Sequence, residues 1–273
     1  MSVTRPQLTE LERVRERLRK LDSSALVHGA ARTLDLVIRE IGAVVGLLAI
    51  AICGWIFLEV VDEVVEGETA HVDRQIVVAL RTGDGNDPLG PKWLEIAAAD
   101  LTALGSTAVL VLVVAFVAGL FSMLRRGREA FLVVIAASGG TALSSSLKVL
   151  FDRERPEAAL RAVEVINPSF PSGHAMLSAV VFLTIGVLAA HFARRKRVKL
   201  YVVSAAVFTA MLVGLTRIYL GVHWPSDVLA GWSLGGAWAL ACWLAAWALD
   251  RPWRLTTAGA RAFPRANDAG DSA

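Results

Sequence analysis

The sequence predicts an all-α, polytopic membrane protein with six transmembrane helices and both termini cytoplasmic, and three observations carry that expectation. Hydrophobic residues make up 55% of the 273-residue chain, with a mean hydropathy of +0.54. That is too apolar for a domain of this size unless much of its surface faces lipid. Six stretches reach the length of about 18 apolar residues from which a helix can cross the hydrocarbon core. Lysine and arginine, finally, are sorted between the connections in the manner that sets membrane orientation.

Residues 1–40 form a charged leader. Within "TELERVRERLRKL", Thr9 and Glu12 have the spacing of a capping box, and Leu8, Leu11, Val14, Leu18 and Leu21 share one helical face. A basic amphipathic helix resting on anionic lipid follows; a solvated helix or a dimerising coil is the plainer alternative. The first span starts at Ile41 with "IGAVVGLLAIAICGWIFLEVV". It lacks a small-residue cleavage site and is expected to stay as an uncleaved anchor.

The second span runs from "LTALGSTAV" through "LVLVVAFVAGLF" to Arg125 and Arg126. The third covers Phe131 to Leu150, the fourth Ala175 to Phe192, the fifth Leu200 to Leu215 and the sixth Val228 to Leu249. All six should be helices, because in lipid each backbone amide must be satisfied within its own segment. Residues 41–250 thus form one six-span domain, and 251–273 a cytoplasmic tail, disordered by its Ala, Gly and Asp content. Cys53 and Cys242 both fall inside spans and have no metal-type spacing, so neither a structural disulfide nor a metal site is expected.

Orientation follows from the short connections. The leader, "RRGR" at 125–128, "RRKRVK" at 194–199, and Arg251 with Arg254 all belong on the cytoplasmic side. Between spans one and two the chain is acidic instead, with Asp62, Glu63, Glu66, Glu68, Asp73, Asp84 and Asp87 against Arg74, Arg81 and Lys92. The connections between spans three and four and between five and six then face outward. Both break the charge rule: one carries Lys148, Arg153, Arg155 and Arg161, the other Arg217. Cations placed against the insertion bias point to a bound anion, or else to pairing with Asp152, Glu154 and Glu157.

Three stretches carry chemistry. "PSGH" at 171–174 opens span four, so the free amides of a helix start, the Ser172 hydroxyl and the close approach allowed by Gly173 suit a phosphate, with His174 placed to donate a proton. In "TRIYLGVHWPSDVLAGW", His223 precedes Asp227 by four residues. A carboxylate that accepts from one ring nitrogen leaves the other free as a nucleophile; equally, Asp227 could cap span six and His223 be a satisfied interfacial residue. "KVLFDRERP" offers Lys148 as a point charge and Arg155 as a planar fork. His28, His71 and His191 lie in charged flanks and need no role beyond solvation.

In their order, spacing and shared face these stretches resemble the type 2 phosphatidic acid phosphatase (PAP2) family, over roughly Ile41 to Leu249. One position departs, Thr216, where the family usually has serine. The resemblance implies a metal-independent phosphohydrolase without cofactor that works through a phosphohistidine. Lys148, Arg155 and Arg217 would neutralise the phosphoryl oxygens, with Ser172, Gly173 and the His174 amide completing the cradle. His223 would attack phosphorus, steered by Asp227, and His174 would protonate the leaving oxygen and then activate water. A site at the outer boundary of a cell (inner) membrane implies a lipid phosphate whose tail stays in the bilayer, and no nucleic-acid partner. Polyprenyl (undecaprenyl) diphosphate is the first expectation; phosphatidylglycerophosphate, phosphatidic acid and lipid A phosphate are alternatives. The amphipathic "VDRQIVVAL" at 72–80 is read as an outer loop resting on lipid, with tail selection as a second reading. A lipid-binding or flippase-like protein would use the same cations without needing the His223 and Asp227 pair.

Overall fold

The computed structural model describes residues 40–83, 87–162 and 167–249; the amphipathic leader and the tail expected from the sequence lie outside these. By its internal packing the chain divides into two compact units, Met1–Leu48 and Ala49–Ala273. Of the first, the described part is the apolar start of helix α1, Glu40–Glu66. The second unit continues with α2 Thr69–Ala79, α3 Lys92–Thr102, α4 Thr107–Met123, α5 Gly127–Phe151, α6 Gly173–Phe192, α7 Lys196–Tyr219 and α8 Pro225–Leu249. Two single 3-10 turns, Ala103–Gly105 and Ala158–Leu160, complete it.

Among the described residues, helices α1, α5, α6, α7 and α8 are each long and apolar enough to cross a membrane, and α3 with α4, bent by 49°, makes a sixth if the pair is counted as one span. The stretch expected as the second span is thus divided between two helices. Ser106 stops the run by turning its hydroxyl to the Val109 amide, the N-cap of α4. Gly105 allows the chain to lie against α6 and α7: a Cβ there would fall 2.4 Å from Val213 and 3.1 Å from the His174 carbonyl. Elsewhere helices outrun the apolar stretches, α5 beginning at Gly127 and α7 at Lys196. Apolarity marks the hydrocarbon edge, whereas helical hydrogen bonding continues into the charged turn beyond it. At the start of α5, Arg126 holds Glu129 at 3.1 Å and covers the Phe192 ring.

Helix α6 is the centre of the bundle, packed by α7, α8, α5 and α4. Its most apolar window is 56% buried, against 11% for α1. In lipid the helices gain nothing by hiding apolar surface from water, so close contact must come from small residues. Gly231 and Gly235 provide it on α8, where added Cβ atoms would sit 2.8 Å from the Ser172 carbonyl and 2.5 Å from that of Met176. Phe116, Phe131 and Leu200 point outward, as lipid-facing residues do.

Candidate active site

The end of α5, the start of α6, the end of α7 and the start of α8 lie at one end of the bundle, and the arginine-rich α4–α5 and α6–α7 connections lie at the other. The chain between α5 and α6 is pinned there by Phe170, a fully buried ring against Phe57 and Phe151 with centroids 6.3 and 5.0 Å away. This anchor fixes the carbonyls and the hydroxyl that precede it.

His223 is 1% exposed, and its surroundings determine its tautomer. Nε2 lies 3.1 Å from Arg155 Nη1. A guanidinium can only donate, so Nε2 accepts and the ring proton sits on Nδ1. Nδ1 faces Asp227 Oδ2 at 3.3 Å and Ser169 Oγ at 3.4 Å. Burial holds the imidazole far below its usual range, to about 3, more strongly than the bond to Asp227 raises it, and Arg155 and Arg217 push the same way as burial. The ring is therefore neutral at physiological pH.

Asp227 is fully buried in the first turn of α8. Its Oδ2 accepts from the Trp224 amide at 2.9 Å and from the Ser169 hydroxyl, besides facing His223. Its Oδ1 accepts from Arg153 Nη1 at 2.6 Å. The carboxylate thus receives a backbone amide before α8 and also faces the ring.

Around this pair lie the cations. Lys148, in the last turn of α5, donates to the Pro168 carbonyl at 2.7 Å. Arg155 donates to the Asn167 and Val222 carbonyls, at 2.6 Å each, and to that of Pro168 at 3.3 Å. Burial lowers its guanidinium to about 10, which leaves it cationic at neutral pH. Arg217 is 6% exposed and donates to Thr102 Oγ1 at 3.2 Å, while its buried Nε has no partner among the described residues. A buried guanidinium donor left unpaired is costly unless an anion completes it.

At the start of α6, Ser172 turns its hydroxyl toward the Ala175 amide at 3.5 Å and donates its own amide to the Asp227 carbonyl at 3.0 Å. Its hydroxyl thus serves the cap, while the first-turn amides of Gly173 and His174 remain available to an anion. A Cβ at Gly173 would make ordinary contact with Lys148 and Ser144 at 3.6 Å, so the lysine stem lies beside the helix start. His174 is half-buried and lies within electrostatic reach of Arg217, His223, Lys148 and Arg155. All eight residues singled out from the sequence, Lys148, Arg155, Ser172, Gly173, His174, Arg217, His223 and Asp227, are brought to this end of the bundle. Thr216, the departing position, spends its hydroxyl on the Val213 carbonyl at 2.7 Å.

Sequence reasoning missed four participants. Ser169 and Thr102 are lone hydroxyls with no pattern around them. Arg153 is expected from the sequence to meet an anion or to pair with Asp152, Glu154 or Glu157, yet it lies between Asp227 and Asp73, 2.6 and 2.9 Å from them. Asp73 was one acid in a run of seven on a segment read as a lipid-resting loop; that segment is α2, packed on α8, and Asp73 is 3% exposed. The one available signal was its place one turn before Val77, on the same face of an amphipathic helix. Of the histidines given no role, His71 contacts Gln75 and His191 contacts Phe192, while His28 is outside the described residues.

A family model described as the PAP2 superfamily matches residues 128–251, a range that contains all eight expected site residues. Phosphatidylglycerophosphatase B of Bacillus subtilis (strain 168) is 35% identical over 147 residues, 52% of this chain and 70% of that protein. An undecaprenyl-diphosphatase of Sulfolobus acidocaldarius is 33% identical over 89 residues, 29% of this chain and 39% of that protein. Among solved structures, the transmembrane PAP2 type phosphatidylglycerolphosphate phosphatase of Bacillus subtilis superposes with a TM-score of 0.65 at 27% identity, covering 74% of this chain and 98% of that one.

Proposed function

This chain belongs to the PAP2 superfamily, and we propose that it is a multi-pass membrane lipid phosphatase that works through a phosphohistidine on His223. The observation that carries the reading is the tautomer of that ring. With the proton on Nδ1 facing Asp227, the Nε2 lone pair is held by Arg155, a phosphate-binding type of side chain. A phosphoryl group drawn to Arg155, Lys148 and Arg217 arrives where the lone pair waits.

The steps balance as follows. The phosphoryl oxygens take donors from the three cations and from the Gly173 and His174 amides, which offset charge as it develops. His174 takes up a proton as the negative charge of the phosphate enters beside it; Nε2 of His223 then attacks phosphorus and the bond to the lipid oxygen breaks, with the proton for that oxygen supplied by His174. Asp227 stabilises the positive charge that the ring acquires. His174, now neutral, takes a proton from water as its oxygen attacks phosphorus, so the N–P bond breaks, inorganic phosphate leaves and both rings return to their starting states. No metal or cofactor enters any step.

The substrate carries its phosphate at a membrane boundary, because the site caps a bundle of membrane-length helices. The relative matched over 70% of its length and the solved structure covered over 98% are both phosphatidylglycerophosphate phosphatases; that favours this headgroup. The Sulfolobus undecaprenyl-diphosphatase supports the second reading, polyprenyl diphosphate, which the sequence led us to expect first. The arginine-rich connections at the opposite end support an extracytoplasmic site in the cell membrane.

Purified protein in excess EDTA, given phosphatidylglycerophosphate, polyprenyl diphosphate, phosphatidic acid and lipid A phosphate in turn, tests the reading. Phosphate release from at least one is expected, with the highest kcat/KM identifying the headgroup. Release from none, or release only after magnesium is restored, contradicts it.

A further inference from the structure

We infer that Arg153 and Asp73 form a positioning pair that fixes the Asp227 carboxylate, so that helix α2 takes part in setting the nucleophile. The inference rests on the phosphohistidine reading, since it assigns the residues that aim its base.

The geometry is continuous from α2 to the ring. Arg153 Nη1 donates to Asp227 Oδ1 at 2.6 Å and to Ser226 Oγ at 2.8 Å. Its Nη2 donates to Asp73 Oδ2 at 2.9 Å and to Thr69 Oγ1 at 3.2 Å. Asp73 Oδ1 accepts the Ser226 amide at 3.0 Å, and its Oδ2 also accepts the Ser226 hydroxyl. One fork therefore spans two carboxylates from two helices, and the α2 carboxylate also holds the start of α8, where Asp227 sits.

Fixing Oδ1 matters because Oδ2 is the oxygen that faces His223. A carboxylate held at one oxygen can rotate about its Cβ–Cγ bond; one held at both cannot. With Arg153 on Oδ1 and the Trp224 amide and Ser169 on Oδ2, the plane of Asp227 is set before the ring approaches it. Lysine in place of Arg153 keeps the charge but cannot reach both carboxylates from fixed directions. Asp73 is the group that holds the far side of the fork, so its loss lets the guanidinium swing. It lies 80 residues from Arg153 in sequence and outside residues 128–251, the range that the family model matches.

The test uses the full-length purified protein and compares Asp73→Asn and Arg153→Lys with wild type, Asp227→Asn and His223→Ala. We expect kcat to fall about tenfold to a hundredfold in both positioning variants, the usual loss when a group that orients a functional side chain is removed. KM and the thermal midpoint should stay near wild type. In the Asp227→Asn background, Asp73→Asn should cost nothing further, because it acts only through that carboxylate. Wild-type kcat in Asp73→Asn, or a loss that multiplies fully with that of Asp227→Asn, overturns the inference and leaves the phosphohistidine reading standing if His223→Ala is inactive. Failure of both variants to fold would make the pair structural and overturn it likewise. An active His223→Ala removes the nucleophile and the inference together.

Discussion

At the scale of single residues, the site depends on a buried neutral imidazole whose proton is placed by its neighbours. His223→Ala and His174→Ala are each expected to abolish phosphate release without loss of folded protein, and turnover near wild type in either would remove that residue from the chemistry. Asp227→Asn keeps the shape but offers an amide where the ring needs an acceptor, a change that costs about 10^4-fold where the same orienting logic operates. Because burial holds the ring near 3, it stays unprotonated as pH falls through the ordinary imidazole range. Nitrogen-15 spectra of histidine-labelled protein, with the signal assigned through His223→Gln, should show the neutral Nδ1–H form still present at pH 5.5; double protonation between pH 7 and 6 would contradict the assignment. The motif residues were legible because each has a side chain with one chemistry and a fixed spacing to the next. Asp73 was not, since only its place one turn before Val77 separates it from the six other acids of its segment, and its partner Arg153 is far away in sequence. The Ser172 hydroxyl is expected at a phosphate from its place in "PSGH" at a helix start, and the structure turns it toward the Ala175 amide because a helix N-terminus needs a cap.

At the scale of elements, the site is aligned by how closely α8 approaches α6. Gly231 sits where a Cβ would lie 2.8 Å from the Ser172 carbonyl, a backbone atom that cannot move without carrying the helix start with it. Gly231→Ala should therefore lower the thermal midpoint, with a cost of about 1–3 kcal/mol typical of overpacking, and reduce kcat because Ser172 and Gly173 shift. Gly119→Ala on α4, with nothing within 4 Å, should be neutral or stabilising by up to about 1 kcal/mol. Equal effects at the two positions would argue against close helix approach as the aligning device. Helix existence and order were readable from runs of apolar residues. The break between α3 and α4 was not, because Leu101 to Phe121 is apolar enough to read as one unbroken span and hydropathy carries no information on direction. Gly105 and Ser106 mark the bend only once their neighbours, Val213, His174 and Val109, are known.

At the scale of the whole molecule, the eight expected residues come from four helix ends and their connections, and a membrane-spanning bundle is what brings such distant segments to one face. The charge pattern that sorted the connections required no structure, because positive residues near the span ends are read during insertion. It predicts sidedness: in intact cells, a membrane-impermeant maleimide should label Trp93→Cys, at the exposed start of α3, and should reach Lys196→Cys only after permeabilisation. The reverse pattern would put the site on the cytoplasmic side. What the sequence could not convey at this scale is α2, whose amphipathic face suits a lipid surface as well as a protein one, and which is held by α8.

The central claim is that phosphorus passes through a covalent bond to His223, and the stereochemistry at phosphorus tests it most directly. Each in-line displacement inverts the centre, so attack by Nε2 followed by attack by water restores the starting configuration. With a lipid phosphate made chiral by oxygen isotopes and sulfur, released thiophosphate of retained configuration is the predicted result. Inverted product would mean that water attacks the lipid phosphate in a single step, and no phosphohistidine is formed.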